Sequence, residues 1–173
     1  MRHMAMVLAS IIVATLAAVG AFAVEPERAH AAITVRSCTG GDVRLSAAEK
    51  TMLELHDQER ASRNLPRLCV HPKLQKAASA HSREMIRREY FTHGNVSWRL
   101  EESGYRWSDY AENIRRDDGR PSPESAFESW MLSSLHESNI RGRRFDEVGV
   151  GAATGNFGGA KTTLWTVDFG TRR

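Results

Sequence analysis

Tyr110-Ala111-Glu112-Asn113-Ile114 sets one acid inside an apolar frame, with chemical partners on both sides along the chain. Upstream lies Tyr90-Phe91-Thr92-His93, and downstream lies His136-Glu137-Ser138-Asn139-Ile140. If the fold brings these segments together, His93, Glu112 and His136 converge as two imidazoles and a carboxylate. That donor set suits a divalent metal such as zinc, or the polarisation of a water. Spacings of roughly 20 residues are not a local metal motif, in which two ligands share one turn or loop. Buried clusters that merely satisfy one another's hydrogen bonds mix the same residue types.

Upstream of this stretch the pattern is helical. Ser46-Ala47-Ala48-Glu49 has the form of a capping box, and Met52, Leu53, Leu55 and His56 recur at helical spacing until Asn64 and Pro66 stop the helix. Pro72 occupies a first-turn position, and Leu74, Ala77, Ala78, His81 and Met85 share one face of a second helix ending near Arg88. His56 and His81 lie in apolar stripes and read as core histidines. Tyr90 to Gly94 is a loop that presents His93. Ser97 is a candidate cap for a short third helix stopped by Gly104.

Downstream, Arg115 to Arg120 reads as a polar, turn-like linker around Asp117-Asp118-Gly119. Ser122-Pro123-Glu124 opens a helix that buries Ala126, Phe127, Trp130 and Met131, and a further turn from Leu135 to Ile140 carries His136. The period then changes to two. Phe145 to Ala152 and Thr163 to Phe169 alternate as strands, with glycine-rich Thr154 to Gly159 between them, which predicts an antiparallel hairpin. That loop lacks the lysine and helix start of a phosphate cradle. Helices first and a closing hairpin last predict an α/β mixture, with helices packed on a small antiparallel sheet.

A chain of 173 residues fits one domain with an N-terminal appendage. Its net charge of +3 is too mild to imply nucleic acid, and no basic stripe interleaved with aromatics is present. Short arginine groups at Arg115-Arg116, Arg141 to Arg144 and Arg172-Arg173 suit either a solvated face or an anionic glycopolymer or phospholipid headgroup. Arg2 and His3 precede an uncharged run from Met4 to Val24 that ends in Ala21-Phe22-Ala23, and Ala29-His30-Ala31 supplies a second small-x-small site. Residues 1–31 therefore read as a signal peptide and processing region cut after Ala23 or Ala31, meeting the membrane only transiently. An uncleaved anchor is the alternative. Residues 32–45 read as an extended arm, and 46–173 as the domain. Two cysteines, Cys38 and Cys69, in an exported chain read as one disulfide, against two buried thiols or a metal pair.

These motifs fall in a recognisable order. Leu55-His56-Asp57-Gln58-Glu59-Arg60, Phe91-Thr92-His93, Ala111-Glu112-Asn113-Ile114, Trp130-Met131 with His136 to Ile140, Glu147-Val148-Gly149-Val150-Gly151 and Leu164 to Gly170 together resemble the bacterial branch of the CAP superfamily. That superfamily, also called SCP-like, includes cysteine-rich secretory, venom-allergen and plant pathogenesis-related proteins. The resemblance covers roughly Ala48 to Gly170. It implies a three-layer α-β-α sandwich with a small antiparallel sheet, a secreted location, and a cavity whose ligands match His93 and Glu112, joined by His136. Ala111 stands where the family generally has glycine, which implies strain if a positive φ is required there. Leu164 replaces the cavity histidine of animal members, Ser133 replaces a second glutamate, Val167 replaces a glutamine, and Asp168 is an unexpected acid.

Two function classes follow. The first is a secreted, non-catalytic binding module at the cell envelope, in which His93, Glu112, His136 and Asn113 organise a cleft for a lipid, a sterol or a wall glycopolymer, with or without a metal. The second is a hydrolase, peptidase-like, in which Glu112, His93 and His136 activate water. No serine or cysteine sits in a nucleophile elbow.

Overall fold

The computed structural model describes residues 32–173. The predicted signal peptide and both processing sites lie outside the described residues. A hairpin of β1 (Ile33–Arg36) and β2 (Asp42–Leu45) opens the described chain. The expected extended arm is therefore an ordered antiparallel pair, with Gly40 at φ +88° in its turn. Val43 and Leu45 are buried on alternate positions, which pins the hairpin to the core. The disulfide Cys38–Cys69 ties the turn of this hairpin to the next short strand, with the Cα atoms 5.5 Å apart.

Helix α1 (Ala47–Ser62) starts on the predicted capping box, Ser46 and Glu49 exchanging side chain and backbone bonds. Strand β3 (Cys69–Val70) leads to α2 (Pro72–Arg88), and α3 (Val96–Glu102) follows with Asn95, not Ser97, as its cap. Strand β4 (Trp107–Asp118) absorbs the predicted linker. Its outer residues Arg116 and Asp118 are exposed while Asp117 pairs with Arg115 at 2.9 Å, so the charges belong to the rim of an edge strand. Helices α4 (Pro123–Met131) and α5 (Ser134–Ile140) precede the closing pair β5 (Glu147–Phe157) and β6 (Ala160–Arg172). Strand β5 runs through most of the glycine-rich segment, and the chain turns at Gly158-Gly159 into β6. Ala111 is extended and pairs with Phe169, so no strain arises from its side chain.

The main sheet has the order β3-β5-β6-β4, antiparallel except for β3 with β5. Alternation along the strands builds two faces. Val148, Val150, Trp165, Val167 and Phe169 point to a core shared with α1 and α4. On the other face α2 lies close to β5, because Gly149 and Gly151 present no side chain: a Cβ there would sit 2.1 Å and 2.4 Å from the backbone of Leu74 and Ala78. The result is the α-β-α sandwich, and it leaves β4 as a free edge between the two helical layers.

Candidate functional site

Glu112 lies on the α2 face of β4, opposite Asp168 of β6. Ladder geometry decides how close the two acids come. The N–H and C=O of Val150 are both taken by the Gln75 side chain, so they point away from β6. Its partner Val167 therefore bonds toward β4, at Asn113, and the neighbouring Glu112–Asp168 pair is of the non-hydrogen-bonded kind, in which side chains approach more closely. The indole Nε1 of Trp130 donates to the Ile114 carbonyl at 3.1 Å from the open side of β4, as this phase requires.

The two acids are then held in opposite states. Glu112 accepts from His93 Nδ1 on Oε1 at 2.7 Å and from the Arg99 guanidinium on Oε2. Burial alone raises a carboxyl pKa, but the hydrogen bond from His93 and the charge of Arg99 outweigh it and hold Glu112 below the ordinary glutamate value. Asp168 is fully buried, and neither carboxyl oxygen has a hydrogen-bond partner among the described residues. Burial, and next the negative charge of Glu112, push its pKa well above the ordinary aspartate value. The two shifts run in opposite directions, toward an ionised glutamate beside a protonated aspartic acid.

Arg99 also donates to the His93 carbonyl at 2.6 Å, so one guanidinium fixes both the acid and the loop that carries its partner. His81 completes that fixing: its Nε2 bonds the Thr92 carbonyl at 3.0 Å, one residue before His93. Burial, followed by the charge of Arg99, depresses the His81 pKa. The ring of His93 is half exposed, while the Glu112 side chain beneath it is 1% exposed. Since a carboxylate only accepts, Nδ1 is the donor in this contact.

His136 lies in the opposite helical layer, on α5. Burial, then a positive charge on His93, lowers its pKa, so the two imidazoles are within electrostatic reach across the β4 edge. His136 lines a cleft of about 280 Å³ with Phe91, Ile114, Trp130 and Ser133. Asn113 faces away from Glu112 and is fully buried. Its Oδ1 accepts from Asn139 at 2.9 Å and its Nδ2 donates to the His136 carbonyl at 3.1 Å, so it anchors α5 and does not reach the cleft as a ligand contact.

Of the three expected ligands, His93 and Glu112 are in direct contact, and His136 stands across the β4 edge from them. Among the described residues no group of three or more His, Cys, Asp or Glu side chains is arranged to hold an ion. Both oxygens of Glu112 are engaged, one of them by a guanidinium that opposes a neighbouring cation. Two participants escaped sequence reasoning. Arg99 had no signal beyond being one arginine on a short helix, and His81 had none that separates a core histidine from one that positions a loop.

The sequence model described as the cysteine-rich secretory protein family, CAP, matches residues 53–169. The chain belongs to this family. The CAP domain is 30% identical over 130 residues to the Bacillus subtilis protein YkwD, covering 72% of this chain and 48% of that one, so the chain spans about half the length of its relative. Among solved structures, an extracellular SCP-domain protein of Bacillus anthracis is 24% identical with a TM-score of 0.61, covering 73% of this chain and 40% of its own. An outer surface protein of Borrelia burgdorferi superposes with a TM-score of 0.62 at 15% identity, covering 83% of this chain and 100% of its own. At these identities the likeness is one of fold. It accounts for the sandwich, and for a CAP domain whose bacterial neighbours are described as extracellular or outer-surface proteins.

Proposed function

We propose that this protein is a secreted CAP-domain binding module of the cell envelope that takes an apolar ligand, a lipid or sterol, in the cleft at the free edge of β4. The observation that carries the reading is the double engagement of Glu112: with Oε1 on His93 and Oε2 on Arg99, the acid is a fixed strut and not a free base. The cleft's surroundings support an apolar ligand. Leu132 and Leu135, next in sequence to the cleft residues Ser133 and His136, are 91% and 77% exposed, and Phe91 is exposed on the facing loop. The apolar run from Met4 to Val24 and the extracellular neighbours support export. A wall glycopolymer held through Arg115 and Arg116, beside the same cleft, is the competing ligand class.

The test is co-sedimentation of the mature protein with phosphatidylcholine vesicles, with and without cholesterol, and with purified cell wall. Replacing both Leu132 and Leu135 by aspartate removes two apolar contacts and weakens vesicle binding by about tenfold or more. Unchanged vesicle binding in that variant, or binding to wall alone, overturns the lipid reading. Metal enters this reading at no step. Zinc titration of the native protein and of His93→Ala is expected to give the same weak heat, and a site lost in the variant would restore the metal.

One observation favours a hydrolase as the second reading: the 2.7 Å carboxylate–imidazole contact between Glu112 and a half-exposed His93 has the form of an oriented acid–base pair. Turnover of ester, peptide or peptidoglycan substrates that disappears in His93→Ala would establish it.

A further inference from the structure

A second cavity, of about 380 Å³, lies where β4 begins, β6 ends and α2 starts, and it shares no lining residue with the cleft at the β4 edge. His71 caps α2: its Nδ1 accepts the backbone N–H of Lys73 at 3.2 Å. A ring nitrogen that accepts carries no proton, so the neutral imidazole holds its proton on Nε2. Burial depresses the pKa of this ring and favours the neutral form. His71 is 3% exposed, stands edge-on to Tyr105 with 4.9 Å between ring centroids, and lines the cavity. Its Nε2 has no hydrogen-bond partner among the described residues. The neutral ring therefore carries its N–H donor on Nε2, on a side chain that lines the cavity.

The charged groups around it are also donors with capacity to spare. Lys73 uses one of its three N–H bonds on the Gly104 carbonyl at 2.7 Å. Arg172 spends Nε on Glu147 Oε1 at 2.8 Å and keeps its terminal nitrogens. Arg106 is exposed, and its side chain makes no hydrogen bond among the described residues. Both oxygens of the neighbouring Glu147 are already engaged, since Oε2 takes the Tyr105 hydroxyl at 2.7 Å. Lys73, Arg106 and Arg172 line the cavity and no acid does; with Glu147 and Asp146 nearby the balance stays positive, which suits a phosphomonoester. The amino end of α2 adds partial positive charge of the same sense.

We infer that this cavity binds a phosphomonoester, with His71 Nε2–H, Lys73, Arg106 and Arg172 as its donors and Tyr105 as an apolar wall for the carbon body. Arg172 thereby acquires a ligand in place of solvent.

Calorimetric titration of the mature full chain with glycerol 3-phosphate, with sulfate as control, tests the inference. Co-sedimentation with phosphatidylcholine vesicles containing phosphatidic acid separates a lipid headgroup from a free phosphomonoester. His71→Asp retains a good helix cap and replaces the N–H donor by negative charge, and Arg106→Glu alters an exposed position outside the core. The expected result is saturable one-to-one binding of glycerol 3-phosphate that exceeds binding of sulfate, with about a tenfold or greater loss in each variant, and in Arg106→Glu at an unchanged melting temperature. Vesicle binding abolished by His71→Asp assigns the ligand to a lipid headgroup, and binding of glycerol 3-phosphate without vesicle binding assigns it to a soluble phosphomonoester. Three outcomes overturn the inference: no saturable binding up to about 10 mM, equal affinity in both variants, or vesicle attraction indifferent to His71→Asp.

Discussion

Replacing Arg99 by methionine removes the cation from the Glu112 carboxylate while keeping much of the side chain's volume. The Arg99 side chain is 11% exposed and that of Glu112 is 1% exposed, so solvent cannot take over the lost charge. Removing one partner of a buried pair typically costs 3–5 kcal/mol, and Glu112 limits the loss by taking up a proton, so about 3 kcal/mol is expected at pH 7. For a domain of this size that is a fall of roughly 10 °C in melting temperature. The pH dependence follows from the sign of the shifts. In the native protein Glu112 titrates below its ordinary 4.5, so the contribution of the pair is fully present above that pH and is lost as pH falls through the lowered folded value. In the variant, burial without Arg99 raises the Glu112 pKa, so the penalty is largest near neutrality and shrinks toward pH 4. Thermal melts followed by circular dichroism at pH 7, 5.5 and 4 measure both effects. A melting temperature within about 2 °C of native at pH 7, or a gap that stays constant as pH falls, refutes the clamp.

Asp168→Asn is expected to stabilise the protein at pH 7, because burial raises the folded-state pKa of Asp168 above the ordinary 3.8 that the unfolded chain keeps. The gain vanishes in acid below the unfolded value, and a lower melting temperature at pH 7 would show that the protonated acid makes a bond the structure lacks. Arg60 is buried and donates to the carbonyls of Pro66, Ile140, Gly142 and Phe145 at 2.7, 3.0, 2.9 and 3.0 Å. Arg60→Met strands these acceptors and is expected to cost about 4 kcal/mol or more in urea unfolding, whereas a loss under about 1 kcal/mol would mean that water replaces the guanidinium. Opening the Cys38–Cys69 bond, with a sequence separation of 31, removes about 3–4 kcal/mol by the chain-entropy argument, read as a shift in denaturant midpoint between the native protein and the double alanine variant.

Local chemistry made much of this fold legible. The Ser46–Glu49 box, Pro72 and Pro123 at first turns, and the period-two run after Phe145 each mark an element by interactions within a few residues, and each element is present. The failures share a cause. Arg115 to Asp118 looked like a linker because charge alternation on an edge strand is indistinguishable from loop polarity until a partner strand is known. The hairpin at β1 and β2 was hidden because four residues per strand show too few alternations to count. In the candidate site, the approach of His93 to Glu112 was foreseeable from residue type and resemblance. Asn113 turning to α5 was not, since adjacent strand residues face opposite layers and the phase was unassigned. Arg99 and Asp168 act on Glu112 through tertiary contacts between α3, β4 and β6, which no spacing along the chain encodes.

The central claim is that Glu112 is a strut between Arg99 and His93, ionised at neutral pH. Carbon-13 NMR of the Glu112 carboxyl carbon, titrated from pH 7 into acid, measures this directly. The account predicts a single titration below the ordinary glutamate value of 4.5. A carboxyl that titrates above that value, as an acid poised to exchange protons near neutrality does, would contradict it.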